Sequence, residues 1–219
     1  MSPSLRLSVV LLTFLMITSA AFAQPTIVNF DFGAVRIACG SGYTYEGPVG
    51  SCPYNAAPTQ NFNGTPDFGW MLGWTVARSG APLAPDNGGA GLTGPNTIFY
   101  PPSFDGLPFN QAVFLQNAGS FVWQAVGGFT AGSYALSFYL GSRYNSSGWF
   151  DGNQTVEALI DGVVIRSWAL SSNTPFTLET ASFAVNTDGI HTLEFKGTKL
   201  GDHTAFLSYV TITPAGEKP

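Results

Sequence analysis

The run from Ser133 to Gly141 sets Tyr134, Leu136, Phe138 and Leu140 against Ala135, Ser137 and Tyr139. A large apolar residue at every second position suits a strand with one face on a core, and a helix would scatter those side chains around its circumference. Comparable runs recur through the second half of the chain. Ala112 to Gln116, Ser120 to Val126, Thr155 to Ile160, Val163 to Leu170, Phe176 to Val185, Thr192 to Gly197 and Thr204 to Thr213 all read as strands. Asp161-Gly162 joins two of them as a two-residue hairpin, because both residue types tolerate positive φ. Asp188-Gly189 marks another turn. No segment offers an amphipathic helix. Charged residues are only 10% of the chain, while glycine numbers 26 and aromatics reach 14%. That balance is too apolar for disorder and fits short strands joined by tight turns. The expectation is an all-β fold of two packed antiparallel sheets.

The first half is less regular. Thr26 to Phe32 reads as an opening strand, and Asp67 to Val76 as another. Trp70 and Trp74 lie on one side of such a strand and read as core. Residues 78–108 read as a long loop, broken by Pro82, Pro85, Gly88-Gly89, Gly94-Pro95 and Pro101-Pro102. A loop of that length either carries function or packs on itself. No internal repeat and no linker composition follow Gln111, so residues 24–219 are expected to form a single β-sandwich domain.

Residues 1–23 have the pattern of a secretory signal peptide. Arg6 supplies the positive region, Leu7 to Ile17 the apolar run, and Ala21-Phe22-Ala23 the small residues before cleavage. That run is short for a hydrocarbon core of roughly 30 Å, and no later segment is long and apolar enough to span one. The mature chain is therefore expected to be secreted, extracellular or periplasmic, with no membrane span. The formal charge is −5 and no basic run is present, which argues against nucleic acid or an anionic membrane as partner. In an exported chain, Cys39 and Cys52 read as a disulfide. Closing their glycine-rich loop would stabilise the fold by about 3 kcal/mol through chain entropy. Their spacing fits neither a zinc knuckle nor a C-x-x-C redox pair.

The run AVFLQNAGSFVWQAVGGFTAGSYALSFYLGSR, Ala112 to Arg143, resembles galactose-binding-like jelly-roll domains of exported bacterial proteins. The matching elements are Phe114-Leu115-Gln116, Gln124, Phe129 to Phe138, and Arg143. Gly201 to Ile212 resembles the last strand of that family, and Val28-Asn29 to Phe32 its first. The chain also resembles the PEP-CTERM class of exported proteins, but it ends in Ala215-Gly216-Glu217-Lys218-Pro219, without the Pro-Glu-Pro motif, apolar helix and basic tail. The resemblance implies a jelly-roll sandwich that binds carbohydrate or mediates adhesion, and it does not imply catalysis. It also implies a possible structural calcium between the first and last strands. Gly33 stands where the family has an acid, and Ser208 and Tyr209 stand in the last strand where aspartates are common. That leaves Asp31 and Asp202 as the candidate metal ligands.

Catalytic constellations are weak. Glycoside hydrolysis needs two carboxylates facing one bond. Glu157, Glu179 and Glu194 each alternate onto a strand face, and Asp161 is explained by its turn. His191 and His203 read as turn or surface residues, and no serine sits in a G-x-S-x-G elbow. No catalytic residue is assigned. The segment from Arg143 to Asn153 is more informative. It sets Tyr144, Trp149 and Phe150 among Asn145 and Asp151, between two strong strands. Flat rings take the C–H face of a sugar, while amide, carboxylate and guanidinium groups take its hydroxyl rim. Arg143, Tyr144, Asn145, Trp149, Phe150 and Asp151 are therefore the candidate ligand-binding residues. Trp149 and Phe150 would equally serve as inward-packed loop anchors, and Arg143 as a buried partner of a strand carboxylate. The expected function is a non-catalytic carbohydrate-binding module whose partner is an extracellular glycan or cell-surface component. The alternative is a structural or adhesive protein without a small ligand, and a hydrolase stands third.

Overall fold

The computed structural model describes residues 24–28, 30–33, 43–45, 74–78, 89–95, 97, 99–144 and 150–216, with backbone alone for 43–45 and 75–78. The fold is all-β. In chain order the strands are β1 (Tyr43–Tyr45), β2 (Thr75–Arg78), β3 (Ala90–Thr93), β4 (Ala112–Gln116), β5 (Ser120–Phe129), β6 (Gly132–Ser142), β7 (Thr155–Ile160), β8 (Val163–Ala169), β9 (Thr177–Val185), β10 (Gly189–Gly197) and β11 (Thr204–Pro214). They form a six-stranded sheet, β1-β3-β4-β11-β6-β9, and a five-stranded sheet, β2-β5-β10-β7-β8. Every recorded strand pair is antiparallel, which gives a jelly-roll sandwich.

Alternation builds the core between the sheets. Leu136, Phe138 and Leu140 of β6 meet Val156 and Ala158 of β7, Leu193 and Phe195 of β10, and Trp74. Burying each large side chain there contributes about 2–3 kcal/mol. The β7–β8 hairpin turns through Asp161 at φ 49° and Gly162 at φ 78°, the two positive values that a tight hairpin of this hand requires.

A second cluster lies on the outer face of the six-stranded sheet. Phe99, Phe109, Ala112, Phe114, Phe176 and Phe206 pack together there, with Phe104 and Tyr139 against them. Strand β4 serves both cores, since Val113 and Leu115 face inward while Ala112 and Phe114 face this outer layer. Gly141 allows the contact, because a Cβ there would lie 3.0 Å from Pro102 and 3.1 Å from Phe176.

Two sequence expectations change. The stretch read as a loop over 78–108 contains β3, which pairs with both β1 and β4. Its Ala-Gly-Leu-Thr sequence is buried at every position, so it carries no alternation to betray it. The described residues of Thr26 to Phe32 do not form a strand. Thr26 makes one bridge to Gly127, and the Gln124 amide then replaces a ladder by accepting from the Val28 N–H at 2.8 Å and donating to its carbonyl at 2.9 Å. The Phe30 carbonyl accepts from Val210 N–H, and Phe32 takes a left-handed φ of 56°. Cys39, Cys52, Trp70 and the 1–23 segment lie outside the described residues.

Candidate functional site

One end of the sandwich gathers most of the residues that the sequence singles out. Strand β6 ends at Ser142, and Arg143 follows with its N–H on the Thr204 carbonyl at 3.0 Å. That bond draws the Arg143 side chain inward, where it is only 4% exposed. The guanidinium carbon sits 4.0 Å from the Phe150 ring centroid and 5.3 Å from that of Phe99. Its Nη1 donates to Asp202 Oδ1 at 2.8 Å. A planar delocalised cation can stack and hydrogen-bond at once, which an ammonium cannot do. The partner carboxylate lies in the loop before β11 rather than on a strand. Gln116 also donates to that Asp202 oxygen.

The rings continue outward from the arginine. Phe150 is half-buried and stacks on Tyr100, with centroids 5.9 Å apart and planes within 7°. Tyr100 stands at φ 47° and its carbonyl accepts from Tyr144 N–H at 2.9 Å. Tyr100 is 42% exposed and Tyr144 59% exposed. Two tyrosines thus reach solvent from a base made of Arg143, Phe150 and Phe99. Phe150 supports this base, and Phe104 is taken into the outer cluster. Asn145 and Trp149 lie outside the described residues.

A polar group adjoins the rings. Asp151 bridges in parallel to His203, its N–H on the Asp202 carbonyl and its carbonyl accepting from Thr204 N–H. Its carboxylate accepts from His203 Nδ1, from Asn153 N–H at 2.8 Å and from Asn153 Nδ2 at 2.6 Å. Burial alone would raise this carboxyl; the hydrogen bonds from His203 and Asn153 outweigh it and hold the group below its ordinary value. An ionised carboxylate only accepts, so the His203 Nδ1 carries a hydrogen. Gly201 packs against the other ring nitrogen, Nε2, where a Cβ would fall 3.0 Å away. Gln154 fixes the rest of the turn, donating to the His203 carbonyl and accepting from Thr155 and Lys199 N–H groups. The His203–Asp151 pairing spans 52 residues of sequence, and no local signal announces it.

The two candidate calcium ligands are not brought together. Asp202 precedes β11 and is engaged by Arg143 and Gln116. Asp31 lies beside the middle of β11, where its carbonyl accepts from Ser208, and its carboxylate accepts from Gly33 N–H at 3.0 Å. Among the described residues there is no group of three or more His, Cys, Asp or Glu side chains suited to a metal. These positions do not fit a shared cation site, because one carboxylate is already neutralised by a guanidinium.

The remaining acids are dispersed. Glu179 accepts from Trp168 Nε1 at 2.7 Å and lies 3.9 Å from Arg166. Glu157 and Glu194 sit on the five-stranded sheet, and burial pushes the Glu194 carboxyl up while Lys196 partly offsets it. His191 is not at the surface as its sequence context implies. It is buried on β10, with Nδ1 on Asp161 at 2.5 Å and Nε2 on the Thr187 carbonyl at 2.9 Å. Its pairing with Asp161 puts this group at the opposite end of β7 from Asp151.

No family model matches the sequence, and no curated protein matches it. Solved structures do. A Stig cyclase, FisC from Fischerella sp. TAU, in complex with (3Z)-3-(1-methyl-2-pyrrolidinylidene)-3H-indole, is similar with a TM-score of 0.57 at 14% identity, over 88% of this chain and 98% of that one. A cyclase from Fischerella sp. TAU in complex with 4-(1H-indol-3-yl)butan-2-one gives 0.54 at 14% identity, over 89% and 99%. A family 35 carbohydrate-binding module from Clostridium thermocellum gives 0.39 at 16% identity, over 51% and 83%. At these identities the first two establish a common fold and nothing finer.

Proposed function

We propose that this chain is an exported carbohydrate-binding module that takes its ligand at the sandwich end built on Arg143. The observation that carries the reading is the pair of exposed tyrosines, Tyr100 and Tyr144, held on a stacked Phe150–Arg143 base beside the polar side chains of Asp151, Asn153 and His203. A sugar would lay its C–H face on a tyrosine ring and direct hydroxyls to Asp151, Asn153 and His203 Nε2. Bound glycan would gain little from flexible side chains, and this base is fixed before the ligand arrives. The partner is an extracellular glycan. The test is a glycan-array screen comparing the protein with its Tyr144→Ala and Trp149→Ala variants. Saturable binding weakened by either change supports the reading. Binding untouched by both would move the site elsewhere on the sandwich. No binding at all by the folded protein would favour the structural or adhesive alternative.

A second, catalytic reading has one specific observation behind it. The Asp151 carboxylate accepts from His203 Nδ1, the kind of contact that orients the imidazole of a general base. Two cyclase structures share this fold over nearly their whole length. In that reading the tyrosines would hold a small planar substrate. A His203→Ala variant separates the readings: it abolishes turnover of a small substrate in the second, and only weakens glycan binding in the first.

A further inference from the structure

The edge of the sandwich where β8 faces β9 carries a separate cleft of about 540 Å³, at the end remote from the tyrosines. That volume falls within the roughly 300–1,000 Å³ of small-molecule sites. Val163 and Ile165 of β8 form one wall, and Phe183 and Val185 of β9 the other. Val163 is 67% exposed, so apolar surface at the rim is left in water.

Both ends of the cleft are closed by hydrogen bonds between elements. On one side the Arg166 guanidinium reaches across from β8 to donate to the Thr180 carbonyl of β9, with Glu179 beside it. On the other, His191 joins the Asp161 turn to the Thr187 carbonyl. The open stretch of β8 between these closures runs from Val163 to Ile165, about 10 Å at ~3.3 Å per residue. An extended peptide or a helix needs a groove that continues past its ends, and this one does not. The lining also carries no unbalanced charge, because the acid and the imidazole in it are paired with one another. A charged ligand would lose its hydration without a counter-charge to replace it.

We infer that the β8–β9 cleft is a binding site for a compact, uncharged molecule with an apolar body, whose polar atom meets Ser182 or Asn186 at the rim. The site is independent of the tyrosine platform, and it stands or falls separately from the carbohydrate reading.

The test is a methyl-resolved NMR titration of the protein with cyclohexanol, and with cyclohexanecarboxylate as the charged analogue of the same shape. The expected result is saturable shifts at Val163, Ile165 and Val185 with the alcohol, and binding of the carboxylate at least about tenfold weaker. Val163→Glu and Val163→Trp change an exposed lining position and leave the core alone. Each should weaken cyclohexanol by at least about tenfold, the first by charging the rim and the second by filling the space. Tyr144→Ala should leave it unchanged. Absence of saturable shifts at these methyls, equal binding of the carboxylate, or full binding in both lining variants would overturn the assignment.

Discussion

The Arg143 guanidinium lies 4.0 Å from the centre of the Phe150 ring and is joined to Asp202 at 2.8 Å. One buried cation therefore ties the end of β6, the segment leading to Asp151 and the loop before β11 into a single base. Arg143→Ala removes the ion pair and the ring contacts together and should cost about 3 kcal/mol. Arg143→Lys keeps the charge but loses the stacking plane, and should still cost about 1 kcal/mol. Urea unfolding of the two variants measures both losses.

Gly152 lies against the turn that this base holds. A Cβ there would fall 2.5 Å from the Arg143 carbonyl oxygen and 2.6 Å from Ser142 Oγ. Backbone cannot step aside as a flexible side chain can. Gly152→Ala should therefore destabilise the protein by about 3 kcal/mol. It should also shift the amide resonances of Asp151 and His203, which an effect confined to the unfolded chain would not do.

Tyr144 and Phe150 separate binding from stability. Tyr144 is largely exposed, so Tyr144→Ala should change stability by less than about 0.5 kcal/mol. If the ring holds a sugar, glycan affinity falls about tenfold at the same time. Phe150→Ala should lower stability by about 2 kcal/mol, because it uncovers Arg143 and releases Tyr100. Denaturation and glycan titration of the same two proteins read the contrast.

The His191–Asp161 pair makes stability depend on pH at both limits. The Asp161 hydrogen bond, helped by the Thr187 carbonyl and opposed by burial, raises His191 above its ordinary 6.5. Its contribution is complete below about pH 6.5 and is lost as the pH rises through the raised native value. Burial works against ionised Asp161, but bonds from His191 and the Thr192 N–H bring it below its ordinary 3.8. That contribution is present above pH 3.8 and is lost as the pH falls through the lowered native value. His191→Phe keeps the ring against Phe129 and should flatten the alkaline limb while sparing most of the packing. Urea midpoints across the pH range, with an NMR titration of the imidazole, check the sign.

Particular strands show why some of this fold is legible in sequence. Ala112–Gln116 and Thr155–Ile160 coincide with β4 and β7 to the residue, because turn residues bound each run. Strand β3 is hidden, since Ala90-Gly91-Leu92-Thr93 is short, fully buried and flanked by breakers that suggest a loop. The opening segment alternates as a strand should, yet side-chain amides of Gln111 and Gln124 take the backbone groups that a ladder would use. A buried Arg143 is readable from its place at a strand end. Its partner Asp202 is 59 residues away in the sequence, where no periodicity links them. For the same reason the sequence alone presents Asp202 as a candidate metal ligand, whereas its carboxylate lies on a guanidinium, and it presents His203 as a turn residue with no sign of its Asp151 partner.

The end of the sandwich around Tyr100 and Tyr144 is proposed to bind glycan. The most direct measurement is a glycan-array screen of the protein beside Tyr144→Ala and Tyr100→Ala variants of matched stability. Saturable binding to a defined glycan set is expected, weakened about tenfold by either substitution. Undiminished binding in both variants, or none by the folded protein, would contradict it.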